Sequence, residues 1–292
     1  MGVFDRVRRL VGAGESPEEG ADEERSDAAT GLERGADPAG RGRSGVNAPK
    51  EGRKSGSHGS HWDTVVLGDD AIMQNIVAAV ETGDPKPGRT VDGGTVSGYR
   101  TGDGPLGTVV IVGEPGDIWS GYPVGAGIAH EVEIDELIPW ANGAEAQLSG
   151  QLGEATISFF ATNFWAQKDD QFGGPRRVEL AAFAYDLGPA EDEVITDDEG
   201  NEYSTAGMAG FAPFEGGDVD DYVFQTTVET VTECEFDGGS VYRMRVPLFR
   251  GEEGSKEYQV MLYAAKPVCG EYVPEKGDDV AGVLWLQGRL ET

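Results

Sequence analysis

Apolar positions along this chain fall into three regimes. Residues 2–12, GVFDRVRRLVG, place Val3, Phe4, Val7, Leu10 and Val11 in a stripe of about 120° when wound at about 100° per residue, with Asp5, Arg6, Arg8 and Arg9 on the rest of the wheel. From Ala13 to Ser60 almost no large apolar residue occurs. Beyond Trp62, short apolar runs alternate with polar residues and are cut by glycine, as strands joined by turns require.

The body opens with Thr64-Val65-Val66-Leu67, which the pattern predicts as a strand. One internal helix follows, over about 69–82. Ile72, Ile76, Val77 and Val80 share a face, Asp69 or Asp70 serves as the cap, and Gly83 stops it. Strands are expected at TVSGYRTG (95–102) and at Gly107–Gly113, and the stretch to Trp140 reads as extended and turn-rich. A further group at 142–187 runs strand, turn, aromatic strand, loop and strand. A similar order returns at 228–236, 241–249, 257–263 and 280–290, with Asp237-Gly238-Gly239 as a hairpin turn. Several strands in about 70 residues suit a small closed barrel, which leaves no exposed sheet edge.

Charge separates the leader from the body. The 292 residues hold 53 Asp+Glu and 23 Lys+Arg, a net charge of −30. Residues 1–60 contain 10 Lys+Arg and 11 Asp+Glu, so −29 belongs to residues 61–292. Such a body repels nucleic acid and anionic lipid on net charge, and it fits adaptation to high salt, where self-repulsion is screened. The leader is balanced, and locally basic at Arg41, Arg43, Lys50, Arg53 and Lys54, a spacer composition. Cys234 and Cys269 are too few for a disulfide framework and are expected as reduced thiols, although one bridge is open to them. No apolar run reaches the roughly 18–20 residues of a spanning helix, and the N-terminus lacks a signal-peptide pattern. A cytoplasmic protein, peripheral to the membrane at most, is expected.

Candidate chemistry is sparse. The chain has no P-loop, HExxH, GxSxG or EF-hand pattern, so no catalytic residue, metal ligand or cofactor is assigned. Of three histidines, His58 and His61 read as solvated linker residues and His130 as a structural imidazole. Aromatics discriminate better. Phe160, Phe164 and Trp165 in ISFFATNFW, with Trp285 in GVLWLQG, would make a stacking platform if exposed, with Arg243 and Arg245 as the nearby cations; the alternative is core.

The stretches NGAEAQLSG with ISFFATNFW, and YVPEKGDDVAGVLWLQG, resemble proteins of an uncharacterised prokaryotic family over about residues 140–292. Residues 222–290 are similar to OB-fold barrels, which implies a small closed barrel and, in many such modules, single-strand binding. The resemblance brings no catalytic residues. The expected fold is therefore mainly β: two small β-barrel, OB-like or sandwich modules with one or two short helices, behind a disordered N-terminal linker. Its segments are an amphipathic helix (1–12), a linker (13–60), a β-rich module with the helix (61–187), an acidic connecting loop (188–221) and an OB-like barrel (222–292). The expected function is a non-catalytic interaction protein of a halophilic cell, with residues 2–12 engaging a protein partner or membrane surface. The alternatives are a single-strand or oligosaccharide binder, with nucleic acid disfavoured by charge, and an enzyme of unrecognised class.

Overall fold

The structure, a computed structural model, describes residues 58–66, 68–102, 104–167, 172–196, 202–251 and 256–291. The expectations for residues 1–57, including the segment carrying Val3, Phe4, Val7, Leu10 and Val11, lie outside those residues.

A one-turn helix α1 (Gly59–Trp62) and helix α2 (Asp69–Thr82) lead into an antiparallel meander of β1 (Lys86–Val91), β2 (Gly94–Thr101), β3 (Leu106–Val112) and β4 (Ile118–Gly125). The α2 span agrees with expectation, but two local readings change. Thr64 and Val65 form a turn after α1 rather than a strand, and Val65 and Val66 are buried. The position before α2 is Gly68 at φ +94°, and no side chain caps the helix there. A positive φ favours glycine, so the chain turns into α2 through Gly68 rather than through an Asp cap.

The chain continues through β5 (Ile128–Pro139), β6 (Ala146–Leu152), β7 (Ala155–Ala161), a 3-10 turn (Phe164–Ala166) and β8 (Gly174–Pro189). Next come the small hairpin β9 (Val194–Thr196) and β10 (Glu202–Ser204), then β11 (Gly210–Pro213), β12 (Asp221–Thr227) and β13 (Thr230–Phe236). The described chain ends with β14 (Gly239–Arg250), β15 (Glu257–Ala265), the short α3 (Lys266–Cys269) and β16 (Asp279–Leu290). Strands β5, β6, β7, β16 and β8 close a five-stranded barrel. Every neighbouring pair is antiparallel except β7 with β16. Beyond the barrel, β15 runs parallel to β8 and carries β14 and β13, while β12 and β11 extend from β16.

The protein is thus mainly β, with a closed five-strand barrel and an antiparallel sheet. The residues that build the barrel differ from expectation. It draws four strands from 128–189 and one from 279–290, whereas 222–265 supplies sheet strands alongside it. The acidic stretch 188–221 contains strands of its own and ends in buried Asp220 and Asp221.

Two apolar cores explain the strand patterns. The first, inside the barrel and under its sheet extension, includes Leu148, Ile157, Phe159, Leu180 and Leu286. The second lies between the barrel's outer wall and the meander, with Tyr122, Trp140, Phe160, Phe183 and Trp285. Because β16 is covered on both faces, its residues from Val280 to Gly288 are all buried and strict alternation is lost. Close approach fixes Gly98 on β2: a Cβ there would come within 2.2 Å of the Trp165 ring. On the meander's other face α2 seats Ile76 over Gly121 and leaves its opposite side in solvent.

Candidate functional site

The most densely built polar constellation lies in the second core, and α1 forms part of it. Gly59 and Ser60 are exposed, while His58, His61 and Trp62 are 5%, 2% and 2% accessible. The short turn therefore points its large side chains inward, between meander and barrel. The Trp62 indole N–H donates to the Gly121 carbonyl on β4 at 2.9 Å. The His58 ring stacks on Trp140 (centroids 4.8 Å, 19°), and the His61 ring stacks on Trp285 (3.8 Å, 5°). Phe160 meets His58 edge-on at 4.8 Å.

Glu145, 1% accessible, anchors this group. Its Oε1 lies 2.8 Å from His58 Nε2 and accepts from Ser120 Oγ at 2.7 Å, while Oε2 accepts from Asn142 Nδ2 at 2.5 Å. Asn142 cannot turn its amide around without loss, because its Oδ1 accepts from the backbone N–H groups of Ala144 (3.1 Å) and Glu145 (3.2 Å). His58 Nδ1 and His61 Nδ1 face each other at 2.7 Å. One must donate and the other accept, so the two rings cannot both be imidazolium in this geometry. When His58 donates Nε2–H to Glu145 as a neutral ring, its Nδ1 accepts from His61. The carboxylate thereby sets the tautomers of both rings.

Trp285 links this group to a second buried carboxylate. Its indole N–H donates to Asp220 Oδ2 at 3.0 Å, and Gln147 Nε2 donates to Asp220 Oδ1 at 2.8 Å and to Asp218 Oδ2 at 3.0 Å. Burial, then the neighbouring charges of Asp221 and Asp218, hold the Asp220 carboxyl well above the usual carboxylate range. Tyr185 donates its hydroxyl to Asp221 Oδ1 at 2.9 Å. Tyr122 packs beside His58, and its hydroxyl reaches the Thr162 carbonyl at 3.0 Å; burial, then Glu145, raise its pKa.

The polar groups named here are engaged with one another. A serine nucleophile needs its hydroxyl on a histidine, and Ser120 donates to the carboxylate instead. Glu145 is occupied on both oxygens. Among the described residues no group of three His, Cys, Asp or Glu side chains has metal-site geometry. The constellation packs His58 and the α1 turn between barrel and meander.

The residues singled out from sequence take other places. Phe160, Phe164, Trp165 and Trp285 are 0%, 1%, 6% and 0% accessible, so they are core, not a stacking platform. Phe164 carries the Arg89 guanidinium over its ring at 4.0 Å, and Phe160 packs against Trp285 at 5.5 Å. Arg243 and Arg245 lie on β14, separated from β16 by β8 and β15. Arg243 is half-buried and paired in register with Tyr263, whose phenol burial pushes up to about 12, and Arg245 is exposed. His130 on β5 sits 2.6 Å from the Gln259 carbonyl, to which Nε2–H donates, and burial lowers its pKa. Cys234 and Cys269 are free.

His58 and His61 are corrections, because they are buried rather than solvated. The Gly-Ser composition around them suggested spacer. The usable signal was the i, i+3 histidine pair ending in Trp62, too much ring surface for an exposed linker. Glu145 and Asp220 carried no sequence mark among so many acids. Comparison of the chain with protein-family models, curated proteins and solved structures found no match. No helix among the described residues is long and apolar enough to cross a membrane.

Proposed function

We propose that this is a non-catalytic, β-rich interaction protein whose leader is pinned to the barrel by the His58–Trp62 turn, so that residues 2–12 engage a protein partner or membrane face. One observation carries the reading: the best-built polar site is spent on the chain's own segment, through the His58–Glu145 contact and the two imidazole–indole stacks. A leader held this way can bear load from whatever its far end binds. The apolar stripe of Val3, Phe4, Val7, Leu10 and Val11 supplies the surface for that end.

The strand order of β5–β8 and β16, with β7 and β16 parallel, supports an OB-like reading of that barrel in place of residues 222–292. A single-strand or oligosaccharide ligand is disfavoured, since the aromatics it would stack on are buried and the body is acidic. The −29 on residues 61–292 supports work in a high-salt cell, where peripheral membrane or protein contact would rest on apolar area more than on charge.

The test compares the full chain with one lacking residues 2–12, by cell fractionation and by affinity capture of bound proteins. Loss of a membrane-fraction pool or of a specific captured protein is expected. Identical distribution and identical captured proteins would refute the tether.

A further inference from the structure

We infer that the outward face of α2 is a docking site for residues 2–12 of this same chain, which stores the tether until a partner or membrane displaces it. The inference rests on the reading of residues 2–12 as an amphipathic segment. Ile76 and Ala79 bury the inner face of α2 on the meander, yet Met73 and Val77 remain 53% and 44% accessible. A surface groove there is lined by Asp70, Met73, Gln74, Val77, Ala78 and Glu81.

Its shape matches the leader. On a helix, residues four apart form ridges, and the dip between two ridges receives a ridge of another helix, crossing at about −50°. Met73, Val77 and Glu81 form one ridge, and Asp70, Gln74 and Ala78 form the other. In residues 2–12, Val3, Val7 and Val11 are likewise four apart, a compact β-branched ridge flanked by Phe4 and Leu10. A segment this short does not hold helix alone in water and gains it by lying on an apolar surface.

Charge and reach agree. The groove carries Asp70 near one end and Glu81 near the other, and α2 contains no Lys or Arg. Residues 2–12 carry Arg6, Arg8 and Arg9 against Asp5 alone, so the pairing is complementary. His58 is fixed in the core eleven residues before α2 begins at Asp69, and 45 residues separate Gly12 from it. A Gly-rich chain of that length has a root-mean-square span of about 35–40 Å. The segment is thus held near the groove at an effective concentration of order millimolar.

The experiment uses the full chain with Val7→Cys and Val77→Cys in a glutathione redox buffer, reading the intramolecular disulfide by mass and gel mobility. Burial raises the native Cys234 thiol and lifts Cys269 to about 11, which keeps both slow in exchange. The reference pairs Val7→Cys with Val194→Cys, a site 66% accessible on β9. The 7–77 bridge is expected to form at least about tenfold faster than the 7–194 bridge. Adding Met73→Lys, which removes apolar surface and sets a like charge against Arg6, Arg8 and Arg9, should bring the 7–77 rate down to the reference. Equal rates for the two pairs, or a 7–77 rate unmoved by Met73→Lys, overturn the docking. Either result is told apart from failure of the tether, because partner or membrane capture still depends on residues 2–12 if only the docking is wrong.

Discussion

Truncating Glu145 tests whether α1 is held by the buried carboxylate or merely rests on aromatic surface. In Glu145→Ala three donors lose their acceptor: His58 Nε2, Ser120 Oγ and Asn142 Nδ2. Each buried donor left unpaired costs about 1–3 kcal/mol. Ser120 can rotate its hydroxyl elsewhere. Asn142 cannot flip, since its Oδ1 caps two backbone N–H groups, and His58 is enclosed by rings. The expected loss is about 4 kcal/mol, a large share of the roughly 5–15 kcal/mol that keeps a domain folded. Glu145→Gln should cost less, about 1–2 kcal/mol. Gln keeps one acceptor for Asn142, and His58 can change tautomer so that Nε2 accepts and Nδ1–H donates to His61. Urea unfolding followed by tryptophan fluorescence reads both variants, because Trp62, Trp140 and Trp285 surround the site. An Ala variant within about 1 kcal/mol of the parent would refute the reasoning. So would a Gln variant as damaged as the Ala variant.

Two further outcomes follow from charge. Asp220 has a folded pKa above its ordinary value of 3.8, so the folded state holds its proton more tightly than the unfolded chain does. Its contribution to stability is present below about pH 4 and is lost as pH rises through the folded pKa. Asp220→Asn should therefore flatten the fall in unfolding free energy as pH rises above the ordinary carboxylate range, and profiles that stay parallel would contradict the assignment. The −29 on the body predicts that raising KCl from about 0.1 to about 2 M increases the thermal midpoint, as the Debye length shrinks from about 10 Å to less than 3 Å. A flat or falling midpoint in a salt series would show that carboxylate repulsion is not what limits stability.

Much of the fold was legible from local pattern. Helix α2, the Asp237-Gly238 turn and strands β13 to β16 follow from periodicity and turn chemistry that involve only near neighbours. The pairing of those strands was not. Whether β16 closes on strands near residue 222 or on β7 and β8 depends on contacts between residues such as Gln287 and Phe160, which nothing local to either encodes. Strand β1 has Pro87 and Gly88 inside it, residues that weaken strands, and its edge position permits them here. Aromatic clustering in ISFFATNFW was visible, but its placement required knowing that a second layer covers the barrel's outer wall. The site was hidden for a related reason. A histidine in a Gly-Ser context reads as solvated until the tryptophans that stack on it, at positions 140 and 285, are known to meet there.

Strand β16 also bears on how the molecule is made. Among the described residues it alone bridges the edges of β7 and β8, which lie about ninety residues or more earlier in the chain, so two long edges stay unpaired until it arrives. A nascent or refolding chain must hold β5 to β8 as an open, partly wet sheet while β9 to β15 are laid down beside it. Such a topology is dominated by distant contacts and belongs with slow folders, on the scale of milliseconds to seconds. During that interval the bare edges are where copies of the chain can pair with one another, and aggregation competes with closure.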